Sequence, residues 1–405
     1  MDAIARNPSR YLWFSALIQT PLFVPVVVLF WTDSGLTMLD VYLLQAAYAA
    51  GVVALEVPTG VLADRLGKST SLKAGALLYA LFFAAYAVAG SFWGFLLCEL
   101  GLALAGSLVS GADVALLFDS LQARGEADRF KVWSGRAAAA QSVGIALSTV
   151  VGGFVGASSP RLAMALSAVG PLLALGVAET LVEVRPIEAA TGSVRDAAAR
   201  WIELTRVASR FVWRHQRVRW MLAALAVLNG SSTWLLWTYQ PYFEHIGLPI
   251  WSFGLVFAVY NLFAAGSAAV AHRLTQGLGE RWTLVLLALL QLAPLPLMAS
   301  LVGPASFLFA LGHQAVRGLG RPVIADAILA HTWADKRATV MSLSGLWTRG
   351  FFAATAPAIG LASVWLPIEG ALWAQAAMLA TALGALAASY ASIPDKYHQV
   401  KPDRS

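Results

Sequence analysis

The stretch GVLADRLGK, residues 60–68, lies in a short polar gap between two long apolar runs. Gly60 and Gly67 frame the Asp64-Arg65 pair, and Lys68 follows as a second cation. Glycine lets backbone turn tightly and approach a neighbour closely, and adjacent opposite charges can bridge helix ends. The surroundings of this stretch set its meaning. The chain of 405 residues is 59% hydrophobic and 12% charged, against roughly a quarter charged in soluble domains. Many apolar runs are near ~20 residues, the length that crosses a ~30 Å hydrocarbon core. Barrel strands are shorter and alternate in polarity. The fold class is therefore an all-α membrane protein.

Apolar runs set against polar breaks give twelve candidate transmembrane helices. Six fall near 11–32, 41–63, 71–90, 92–117, 132–156 and 161–181, and six near 218–240, 250–272, 282–300, 305–328, 338–360 and 370–390. The first run has full span length and lacks the short core and small-residue cleavage site of a signal peptide, so it is expected to remain as span 1. Cations fix the orientation. Arg6, Arg10, Arg65, Lys68, Lys73, Arg124, Arg129 and Lys131 fall on one side, joined by the cations of 185–219, Arg273, Arg281, Lys336 and Arg337. The opposite loops hold only Arg161. The positive-inside rule then makes both termini cytoplasmic. It also explains the net charge of +6 without nucleic acid.

The longest polar segment, 183–217, divides the chain into a first bundle (1–182) and a second (218–392), with a tail at 393–405. Within it Trp201, Leu204, Ala208 and Phe211 share one helical face, with Arg200, Arg206, Arg210 and Arg214 largely elsewhere. That pattern fits an amphipathic helix on the inner membrane surface; a solvated linker is the alternative. The halves repeat weakly at an offset of about 207. Asp119, Asp128 and Arg129 match Asp326, Asp335 and Lys336; Arg65-Leu66 matches Arg273-Leu274, and His272 stands where Asp64 does.

With these features in place, GVLADRLGK resembles motif A of the major facilitator superfamily, G-x-L-a-D-r-x-G-r/k, which that family carries between its second and third helices. The resemblance implies two six-helix bundles and secondary transport by alternating access, in a monomer. It also implies that Asp64 meets the start of the eleventh helix when the cytoplasmic side is shut, with Arg65 or Lys68 reaching Asp119. A carboxylate suits a helix N-terminus. A charged loop that only sets topology is the alternative. Gly60 and Gly67 would serve the loop's shape. In span 5, Gly144, Ser148, Thr149, Gly152 and Gly153 fit the frame of the antiporter motif C, with Ser148-Thr149 replacing its Gly-Pro. Such spacing also serves close helix packing.

Ionisable groups within the bilayer are costly and become functional candidates. Glu99, Gly106, Ser110 and Asp113 share a face of span 4; His313, Arg317 and Arg321 share one on span 10. Glu99, Glu56 and Asp113 are the proton-coupling candidates, with static ion pairing as the alternative. The substrate-binding candidates are Gln19, Glu99, Asn229, Trp237, Gln240, His313, Arg317 and Arg349. By resemblance, spans 1, 4, 7 and 10 line the central cavity, so Glu99 is expected to look towards it. Arginine offers a planar fork to carboxylate or phosphate. Tyr242 is read as an interfacial anchor and Cys98 as packing. No G-x-x-x-x-G-K-[ST] loop occurs, so neither ATP drive nor an enzyme is expected, and neither a cofactor nor a metal. The expected partners are a small-molecule substrate, protons and the lipid bilayer, in a bacterial inner membrane. The functional expectation is proton-coupled export of a small amphipathic or anionic compound. Import of an organic anion by symport and a non-transporting receptor on the same fold are the alternatives.

Overall fold

A computed structural model describes residues 2–184, 203, 206–207, 209–332, 337–391 and 393. Twelve spans can be followed among them. Spans 2, 3 and 5 are the single helices Met38–Leu66, Lys68–Val88 and Phe130–Ser158. Span 1 comprises Asn7–Ile18 and Val27–Asp33, span 4 Phe92–Val109 and Ala112–Gln122, and span 6 Pro160–Leu166 and Val169–Glu179. Span 7 is Gln216–His245, while spans 8 and 9 run through Ile250–Leu292 and Pro294–Ser300 with a sharp turn at Gly279. Span 10 enters by a 3₁₀ turn, Ser306–Ala310, and continues as Leu311–Ala330; spans 11 and 12 are Arg337–Trp365 and Ile368–Ala391. Eight described helical stretches are long and apolar enough to cross a membrane, spans 8 and 9 counting as one. Of the others, span 1 is broken, span 10 carries Arg317, Arg321 and Asp326, and span 11 carries Arg349.

The described chain forms two compact units, 1–200 with 247–261, and 201–246 with 262–405. The segment 247–261, assigned by sequence to the second bundle, clusters with the first unit. Gly254 and Gly153 explain this, because their backbones approach so closely that a Cβ on either would overlap the other chain. The same device recurs inside the unit. Gly144 and Gly152 of span 5 lie against the carbonyls of Ala16 and Leu22, and Gly170 lies against Leu17 and Thr20. These contacts surround the point where Pro21 and Pro25 interrupt span 1 over 19–26. Two prolines remove two backbone donors; the Leu17 carbonyl, which Pro21 cannot serve, accepts the Thr20 hydroxyl at 2.9 Å. Pro241, alone in span 7, leaves that helix continuous.

Three expectations from the sequence change. Span 4 is not one helix: Gly111 adopts φ +84° and divides it. Glu99 and Asp113 therefore do not share a face. The repeat pairing of Arg65-Leu66 with Arg273-Leu274 also slips, since the turn comes at Gly67 (φ +95°) in one half and at Gly279 (φ +74°) in the other. Span 8 runs through His272 and Arg273 before it turns. Finally, Phe211 is buried among Val212, Val218, Met221 and Leu222 of the second unit. It faces protein, not a membrane surface. Arg200, Trp201, Leu204 and Ala208, as well as Asp335 and Lys336, lie outside the described residues.

Candidate functional site

Spans 2 and 3 meet at Gly67, whose positive φ ends one helix and starts the next. The next residue, Lys68, pairs with the buried Asp119 on the second segment of span 4. Glu183 accepts the Ser69 N–H at 2.8 Å, and the Ser69 hydroxyl donates to the Leu181 carbonyl at 3.1 Å. A carboxylate at this helix start satisfies one of the free N–H groups there. Asn7 completes the tie, donating to Val182 O at 2.8 Å and to Ser120 Oγ at 3.0 Å. The loop is thus fixed to spans 1, 4 and 6. Asp64 is exposed on the last turn of span 2, as is Gly60 one turn earlier, and the Arg65 Nε is buried with no hydrogen-bond partner among the described residues.

Each unit holds a polar cavity. In the first, about 210 Å³ is lined by Tyr11, Ser15, Gln19, Asp113, Ser134 and Gln141 among others. The break at Gly111 places Asp113 in the first turn of a new helix, beside Tyr11, whose hydroxyl donates to it at 3.4 Å. Glu99 lies elsewhere. Its carboxylate accepts from Gln45 Nε2 at 2.9 Å and Tyr86 Oη at 2.5 Å, in a closed contact between spans 2, 3 and 4. Glu99 lines neither polar cavity, because span 4's small residues bring spans 2 and 3 against this face. Glu56, half-buried on span 2, lines neither of them.

In the second unit about 270 Å³ is lined by Asn229, Thr233, His313, Gln314, Arg317 and Arg321 among others. Spacing of four residues on an unbroken helix brings the last two and His313 to one side, as the sequence indicates. Among the described residues no carboxylate lines this cavity. Trp237, Gln240 and Arg349 are not part of its wall. Tyr242, read as an anchor, is instead fully buried and donates to Met298 O at 2.8 Å and Ser306 Oγ at 2.6 Å. The wall amides Gln314 and Gln141 were not anticipated. Each is an amide in an apolar run, which is a usable signal. Gln314 was missed because it sits one residue off the His313–Arg317 stripe, on the face turned to Tyr239.

The model of the major facilitator superfamily matches residues 12–319. The chain belongs to that superfamily. Solved structures agree over nearly the whole chain. A nucleoside transporter, NupG, superposes with a TM-score of 0.75 at 11% identity, covering 96% of this chain and 99% of that one. A bacterial homolog of the human lysosomal transporter Spinster gives 0.71 at 14% identity, covering 96% of both. A D-xylose-proton symporter gives 0.71 at 14% identity, covering 96% and 97%. At such identities the likeness is one of fold. No curated protein sequence matches the chain. Membership makes this a multi-pass membrane transporter of the facilitator class, with a small molecule as its cargo.

Proposed function

We propose that this transporter moves a small organic anion, coupled to protons, with the cavity of the second unit as the anion site. The observation that carries this reading is the cavity wall itself, in which Arg317 and Arg321 stand one turn apart beside neutral polar groups. Charge buried in a membrane protein is expensive unless it is used or paired, and a planar guanidinium fork matches a carboxylate or phosphate. Asn229 and Thr233 add neutral hydrogen-bonding groups. For the proton we assign Asp113, the acidic residue of the first unit's cavity, in preference to Glu99, which is enclosed. The exposed Asp64 is the gating carboxylate in this scheme, and Lys68–Asp119 holds its loop. The protein acts as a monomer in a bacterial inner membrane.

Export is the proposed direction. A second reading, import by symport, is favoured by the glycines of span 5, which rest on the backbones of spans 1 and 8. Packing accounts for them without an antiporter role. Reconstituted vesicles loaded with a labelled aromatic carboxylate decide between the two. Efflux against an inward proton flow is expected; accumulation that rises with inward proton flow overturns export, and flux blind to any pH gradient overturns coupling.

A further inference from the structure

The polar wall of the second cavity has a direction. His313 Nε2 stands 2.9 Å from the carbonyl of Gln291, and a carbonyl can only accept, so Nε2 carries the proton. In the neutral ring Nδ1 is then an acceptor, and Tyr239 Oη, at 3.3 Å, donates to it. With its proton committed, the Tyr239 oxygen accepts the amide N–H of Gln314 at 3.2 Å. Each link fixes the next. The series therefore orients the Gln314 amide, and leaves its Oε1 as the free end. That oxygen is buried without a hydrogen-bond partner among the described residues, on a side chain only 3% exposed that lines the cavity.

A buried amide oxygen left unpaired costs roughly 1–3 kcal/mol, and a ligand that donates to it recovers that cost. Arg317 lies three residues along the same helix, on the same cavity. We infer that the cavity selects anions bearing an O–H or N–H donor beside the acidic group, the donor going to Gln314 Oε1 and the anion to Arg317. Hydroxy acids and phosphate monoesters with a free hydroxyl are the classes that meet both. Simple carboxylates and ethers of the same size meet only one. This inference rests on the anion site proposed above. It adds that Tyr239 and His313 act as positioning residues, setting which end of the Gln314 amide the ligand meets.

The test uses the purified full-length protein and competition binding with matched probes: 3-hydroxybenzoate, 3-methoxybenzoate and benzoate, and lactate with propanoate. Each hydroxylated acid is expected to bind about tenfold tighter than its partner, from the cost of an unpaired buried acceptor. In Gln314→Leu the ratio falls to about one, since the hydroxyl then meets no acceptor. Tyr239→Phe frees the amide to rotate and is expected to lower the ratio similarly. The ratio is insensitive to general damage, and either variant suffices should the other fail to fold. Arginine-dependent binding of all five acids with no preference for the hydroxyl would overturn the donor inference and leave the anion site standing. Binding unaffected by Arg317→Gln, or no binding of any acid, would overturn both.

Discussion

Substituting Gly152 by alanine places a methyl group where span 1 already lies. The added Cβ would stand 1.8 Å from the Leu22 carbonyl oxygen and 2.7 Å from its carbon. A carbon–oxygen contact relaxes at about 3.3 Å, so the backbones must part by roughly 1.5 Å, the difference of the two distances. Overpacking costs about 1–3 kcal/mol, and here the obstacle is backbone that Gly144 of the same helix and Gly170 of span 6 also press close to. The upper end applies. For units of this size ~3 kcal/mol lowers the melting temperature by about 6–12 °C. The molecule supplies its own probe: Cys98, its single cysteine, is buried in the same unit. A thiol-reactive fluorophore in detergent therefore reports unfolding. Gly135→Ala is the control, since nothing lies within 4 Å of its Cβ position on the same helix. That change is expected to be neutral or stabilising by up to ~1 kcal/mol. A Gly152→Ala protein melting within ~2 °C of the control, well short of that fall, would refute the claim that span 5 glycines hold the broken span 1.

Lys68→Ala removes the cation paired with the buried Asp119 and is expected to cost about 3 kcal/mol; the Lys68→Gln, Asp119→Asn double variant recovers part of this, measured in the same melting assay. Arg317→Gln should weaken benzoate binding roughly thirtyfold, about 2 kcal/mol, in equilibrium dialysis. Asp113→Asn is expected to uncouple flux from an imposed pH gradient in vesicles, whereas Glu99→Gln keeps the dependence; the reverse pattern returns the proton role to Glu99.

Much of the fold was legible because membrane insertion imposes a coarse pattern. Length, apolarity and cation placement needed no packing information, and the Gly67 turn announced itself in the motif. The misreadings have a common physical cause. A helical-face argument assumes a straight helix, and Gly111 alone was enough to rotate Asp113 away from Glu99. Periodicity says which residues share a side but not what that side meets. Glu99 was read as facing a cavity, yet Gln45 and Tyr86 close over it. His313 and Arg317 survived the same argument because span 10 runs unbroken between them, with Pro322 lying beyond. Gln314 could not be singled out from periodicity, since its significance depends on Tyr239, 75 residues away.

The two cavities differ in a way that bears on mechanism. Desolvating a cation or a carboxylate is costly, and that cost is useful to a carrier only if it changes when cargo or a proton arrives. In the second unit the neutral wall is already ordered by the carbonyl of Gln291, so the arginines do not have to organise it. On the proposed anion site, an incoming ligand would meet a preset amide and lose little to reorganisation. Asp113 has a different setting: it lines the first unit's cavity from a helix first turn, and accepts from Tyr11 Oη at 3.4 Å and from the Val114 N–H at 2.6 Å. Glu99 differs in lining neither polar cavity, with Gln45 and Tyr86 both donating to its Oε1. The proposed division of work is therefore a recognition site on spans 7 and 10 and a proton-carrying acid on span 4.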